Sequence, residues 1–150
     1  MKYADLSAAQ ESWIKEVLDS PDKCLTICNG LRFYFPDARI TANGWIVDNT
    51  NIRNYPVQSF ATADIVPIGI VYAWHIVKAS GIDAFFINTV HDSGIGEVRK
   101  GQEHQLKELL QYSMIDCVVF YLKKVYGIAY PIPIEIEYEY GPYWSEWIKH

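Results

Sequence analysis

Asp92 is the residue whose chemistry is most in question. It stands in Ile87–Val98, INTVHDSGIGEV, where two β-rich runs flank a His-Asp-Ser-Gly turn. A carboxylate at the tip of such a hairpin would project from a rigid support, a suitable place for a metal ligand. Asp, Ser and Gly are equally the residues that ordinary turns favour, so the stretch taken alone is also consistent with a plain turn. Two competing readings fail on context. A His-Asp doublet ligating metal from a helix, as in a phosphohydrolase, needs helical neighbours and supporting histidines, and the neighbours here are β-branched and aromatic. Gly94-x-Gly96 lacks the third Gly, the Lys-Ser/Thr pair and the following helix of a phosphate-cradling loop.

A second constellation spans Asn51–Ile65, where polar amides precede an apolar run. Asn54 and Gln58 lie four apart with Pro56 between them, so they are expected to line an entry turn rather than a regular helical face. Capping of the helix by Asn54 accounts for that residue without any ligand.

The elements that must position these residues follow from periodicity. Leu6 to Leu18 carries apolar residues at helical spacing, with Pro21 as a stop. Lys23–Cys28 and Leu31–Phe35 flank Asn29-Gly30, a strong hairpin signal because both residues tolerate positive φ. Ala38–Asn54 reads as loop with a short strand at Trp45-Ile46-Val47. Val57–Ala79 predicts a long buried helix, kinked by Pro67 and ended by Ser80-Gly81. Ala84–Val90 and Ile95–Val98 read as strands around the Asp92 turn. Glu103–Tyr126 predicts a second long helix with Gly127 past its end. The tail Ile132–Tyr140 alternates apolar and acidic residues, as a strand with one wet face does. Strands placed between and after helices, without regular βα repetition, predict an α+β fold with an antiparallel sheet and two long helices.

Composition narrows the function classes. The chain has 150 residues, enough for one domain over 1–150 with a sizeable core, and half of them are hydrophobic. Charged residues, Pro and Gly interrupt the apolar runs, and the N-terminus lacks the apolar segment of a signal peptide, so a cytoplasmic location and no membrane partner are expected. Cys24, Cys28 and Cys117 are odd in number and form no CxxC pair, which suits a reducing compartment and argues against zinc. A net charge of −5 has the wrong sign for a chain that grips a nucleic-acid backbone unaided.

The order of landmarks carries a resemblance. RNYPVQSFATADI followed by INTVHDSGIGEV resembles the C-terminal palm of family A (Pol I-like) DNA polymerases of the phage type, in which an Asn-x-Pro-x-Gln helix precedes a Val-His-Asp hairpin called motif C. NGLRFYFPD resembles the Gly-Arg hairpin ahead of that helix, and GPYWSEWIKH the family's C-terminus. The resemblance covers roughly residues 29–150, with the helix in 1–22 at the edge between fingers and palm.

The resemblance implies a role for each matching position. Asp92 would bind the catalytic metal ions and His91 would stand beside the primer terminus, with Ser93, Glu97, Arg32 and His150 as supporting residues. Asn54 and Gln58, together with the adjacent Arg53, would contact primer-template DNA in the minor groove. Amide donors suit that groove, which presents nearly the same acceptors for every base pair and so allows geometry to be checked without reading sequence. Two departures stand out: Ser93 replaces the Glu that often follows the motif C Asp, and Thr50 stands where an Arg is often found.

A two-metal phosphoryl transfer needs at least two carboxylates bridging ions about 3.5–4 Å apart. Nothing in the chain matches the family's motif A strand or the fingers residues that hold the nucleotide. The resemblance therefore implies the C-terminal palm subunit or fragment of a split DNA polymerase, phage-encoded and acting in a bacterial host. It would share a Mg²⁺ site with a larger subunit carrying motif A and the fingers, and would use primer-template DNA and dNTP. A non-catalytic palm-like interaction domain, binding a protein partner or DNA, is the alternative.

Overall fold

The computed structural model describes residues 4–131, 133–143 and 148–149. The fold is α+β, with helices interspersed among short antiparallel pairs. The chain forms two compact units, Met1–Ala61 and Thr62–His150.

In the first unit the predicted N-terminal helix is α1, Ala4–Asp19. Its buried residues Ile14 and Val17 pack with Leu25, Phe35, Ala38 and Ile52, and removal of these side chains from water is what holds the unit together. β1 (Cys24–Thr26) and β2 (Arg32–Tyr34) pair antiparallel, as expected, with Leu25 opposite Phe33. The connection is longer than a two-residue Asn-Gly turn. The Ile27 N–H donates to the Leu31 carbonyl at 3.0 Å, Asn29 Oδ1 accepts from the Leu31 N–H at 2.9 Å, and Gly30 takes φ 85°. The short strand expected at Trp45–Val47 is a single bridge, Ile40 to Ile46, in a small hairpin.

Helix α2 runs Asn49–Ser59, eight residues ahead of the predicted start. Asp48 turns the chain into it at φ 62°, and Pro56 sits buried inside the helix rather than at its entry. Asn54 is therefore interior and does not cap. Ile52, fully buried, anchors the helix to the core of the unit.

A π-helical turn, Phe60–Ile65, follows α2 and leads into α3 (Val66–Ser80) of the second unit, with Pro67 in the first turn after it. Pro67 thus falls in the first turn after the π turn rather than mid-helix, and π turns, like Pro, are places where a helix bends. Gly81, φ 75°, ends α3. By length and composition the helical run Asn49–Ser80 is apolar enough to cross a membrane, contrary to the expectation that Pro, Gly and charges interrupt every such run. Ala73 and Val77 on α3 are nonetheless buried against protein.

β3 (Ala84–Val90) and β4 (Ser93–Val98) form the predicted second hairpin. The second long helix is α4 (Glu103–Gln111), a π turn (Tyr112–Asp116) and α5 (Cys117–Val125). Gly127, φ 70°, then swings the chain so that the Ile128 N–H reaches the Leu122 carbonyl at 3.0 Å. Ala73, Val77, Ile82, Leu106 and Leu110 form the core of this unit, with Ala84, Phe86, Val98, Ile136 and Tyr138 packed on it. The Tyr126 hydroxyl donates to Asp64 at 2.9 Å, and partial burial together with that bond pushes its pKa up to about 12.

The tail keeps its alternation. Ile134, Ile136 and Tyr138 are half-buried while Glu135 and Glu137 are exposed. Strand geometry is confined to β5 (Glu139–Tyr140), paired with β6 (Ile148–Lys149). Ile132, where the predicted strand begins, lies outside the described residues. Among the described residues, three separate two-stranded ribbons stand in place of one antiparallel sheet.

Candidate functional site

The β3–β4 hairpin closes with His91 and Asp92 as its two loop residues, Val90 facing Ser93 across the turn. His91 takes φ 53°, a left-handed conformation that His tolerates better than most non-glycine residues. The Ser93 hydroxyl donates to the Val90 carbonyl at 2.8 Å and pins the turn from the other side. Asp92 and His91 are exposed, and among the described residues the Asp92 carboxylate has no hydrogen-bond or ion-pair partner.

The hairpin is held at its base. Ala84, Phe86 and Val98 pack on the core, and Arg99 pairs with Asp83 at 2.9 Å just beyond the strands. Phe85, Ile87 and Val90 stay largely uncovered. The pairing register shifts between Phe86 and Asn88, a bulge that raises local twist in the strand leading to the turn. A Cβ on Gly96 would come within 2.8 Å of the Phe85 carbonyl oxygen, so Gly96 is required for close strand approach. The sequence pattern Gly94-x-Gly96 reflects this packing rather than phosphate binding.

Glu97 faces Phe85, four residues beyond Ser93. At about 3.3 Å per residue that is roughly 13 Å back from the turn, so the Glu97 and Asp92 carboxylates do not converge on one ion. No group of three or more His, Cys, Asp or Glu side chains able to hold a metal occurs among the described residues. The described residues therefore do not make a complete metal site by themselves; at the hairpin tip Asp92 offers a single carboxylate.

The amide set lies in the first unit. With α2 continuous through Pro56, Asn54 and Gln58 are exposed residues at i and i+4 on one regular helical face, not on an entry turn as expected. Arg53 is engaged within the protein: its Nε donates to Asn49 Oδ1 at 2.8 Å and its Nη1 to Gln10 Oε1 at 3.2 Å, tying α2 to α1. The Gln10 partner is 43 positions away, which no local pattern reveals. Arg32 lies over the Tyr34 ring at 5.2 Å and donates to Cys24 Sγ at 3.3 Å, a bond that raises its pKa. His150 lies outside the described residues, as do residues 144–147 of the C-terminal motif.

No protein-family model matches the chain, and no solved structure does. A stretch of 93 residues is 30% identical to DNA polymerase I of Aquifex aeolicus (strain VF5). That stretch is 62% of this chain and 15% of that polymerase, so the chain corresponds to a small part of the longer protein and contains a region related in sequence to DNA polymerase I.

Proposed function

We propose that this chain is the C-terminal palm portion of a split family A DNA polymerase, of the phage type, inactive alone and completed by a larger subunit with motif A and the fingers. The observation that carries the reading is the state of Asp92: an exposed carboxylate, without a partner among the described residues, at the tip of a hairpin whose turn is fixed on both sides. The sequence relation to DNA polymerase I supports the same direction.

In this reading Asp92 would hold one position of a Mg²⁺ site that the partner completes, and the ions would supply Lewis acidity for nucleotidyl transfer. His91, fixed by the same turn, contacts the primer terminus. The amides of Asn54 and Gln58 donate to minor-groove acceptors that all base pairs share. The absence of a second converging carboxylate among the described residues and the net charge of −5 both accord with a partner supplying the second ligand and most phosphate contacts.

The test is primer extension by the complex that co-purifies with the tagged chain. Asp92→Asn is expected to leave the complex assembled and to lower template-directed, metal-dependent synthesis by about a thousandfold, the scale of several kcal/mol of lost metal stabilisation. Unchanged synthesis would remove Asp92 from the chemistry and leave a palm-like interaction domain.

A further inference from the structure

An open groove of about 380 Å³ lies in the first unit, lined by Trp45, Ile46, Asp48, Asn49, Thr50 and Asn51. Its wall is unusual: the Trp45 residue is 75% exposed and takes no part in the core of the unit. The ring is not on a loose loop. The Trp45 N–H donates to Thr41 Oγ1 at 3.1 Å, and its carbonyl accepts from the Thr41 N–H at 2.8 Å and the Thr41 hydroxyl at 3.1 Å. An exposed indole on a fixed backbone has little conformational freedom left to lose on stacking.

The rest of the groove is polar in both senses. Asp48 is an acceptor that already holds the Asn51 amide at 3.2 Å. Asn49 accepts from Arg53 through Oδ1, which fixes its side chain and leaves its amide nitrogen a donor with no partner among the described residues. Thr50 is exposed. Arg39 faces Val47 in the same small hairpin, two positions from the Thr41–Trp45 pair, and its guanidinium donates to the Asp37 carbonyl at 3.1 Å rather than to the groove. A flat π surface with edge donors and acceptors beside it is the complement of an unpaired base.

We propose that this groove is a stacking site for an unpaired base of single-stranded DNA; the choice of DNA among planar ligands rests on the polymerase reading. The probe is a thymidine oligomer of about a dozen nucleotides carrying 5-iodouracil, mixed with the full chain. Irradiation is expected to crosslink it to Trp45. Trp45→Ala is expected to weaken binding about tenfold, the usual scale for losing one base-stacking ring, and Trp45→Phe to retain most of it. Because Trp45 is outside the core, both variants should keep the wild-type circular dichroism spectrum.

Equal affinity of the wild-type and Trp45→Ala chains, or a crosslink elsewhere, would overturn the proposal. So would a Trp45→Ala chain that binds the oligomer normally but no longer co-purifies with a larger protein, because that marks a protein contact. Failure of the polymerase reading looks different: Asp92→Asn then leaves synthesis intact while Trp45→Ala still weakens oligomer binding.

Discussion

The amides of α2 stand on a helix braced by the core of its unit, whereas Asp92 stands on a hairpin packed only at its base. Ile52 is fully buried beneath α2 and Arg53 clamps the helix to α1 through Gln10. In the hairpin, burial ends near Phe86 and Val98, and Phe85, Ile87 and Val90 remain uncovered. A two-stranded ribbon is marginal without further support, so Asp92 owes its position to backbone devices: the left-handed His91, the Ser93 hydroxyl and the close approach at Gly96. Side chains on the exposed face of α2 can therefore be exchanged with less effect on the fold than Ile52, while the hairpin is sensitive to changes that touch its backbone.

The largest stability effect is expected where α2 meets the core. Ile52→Ala deletes a fully buried side chain and should cost about 2–5 kcal/mol in urea unfolding, from lost transfer energy and the cavity left behind. A cost below about 1 kcal/mol would mean that α2 is not held in this way and would erase the contrast with the hairpin. Next comes Gly96→Ala. The new methyl would meet a backbone oxygen that no rotamer change can move aside, so one strand must shift, at about 1–3 kcal/mol. Cross-strand amide contacts measured by NMR should be lost near Phe85 and Phe86. Their survival would show that the ribbon adapts more readily than its geometry implies.

Most of the framework was legible because its signals are local. Helical spacing marked α1 and the Glu103–Tyr126 run, and turn residues between β-rich stretches marked both hairpins. Three features were not legible, each for a physical reason. Pro56 is a breaker by propensity, yet burial of Ile52 and Pro56 on one side of α2 overrides that preference and moves the helix start back to Asn49. The π turns leave the apolar pattern nearly intact, so nothing in the sequence announces them. The tail alternates as a strand should, but alternation specifies which side is wet and does not supply a pairing partner for Ile134–Tyr138. For the candidate site, the types at Asp92, Asn54 and Gln58 could be read directly. The engagement of Arg53 with Gln10 and the setback of Glu97 from the turn needed the fold.

The smallest expected stability effect is also the sharpest test of the contrast. Asn54 and Gln58 are exposed and on one face of α2; replacing Asn54 by Ala should change unfolding stability by no more than about 0.5 kcal/mol, and Ala's better helix propensity offsets part of any loss. If they donate to minor-groove acceptors, each substitution should still weaken primer-template binding by the complex, by roughly three- to tenfold per lost hydrogen bond. The salt dependence distinguishes this from a phosphate contact. A neutral amide displaces no counterion, so the slope of log K against log salt should stay as in the wild type, whereas loss of a cation on a phosphate would make it shallower by about one. Weaker binding with an unchanged slope would make α2 a braced platform whose exposed amides serve DNA. Unchanged binding would leave the face without a nucleic-acid role while the hairpin tip kept its own.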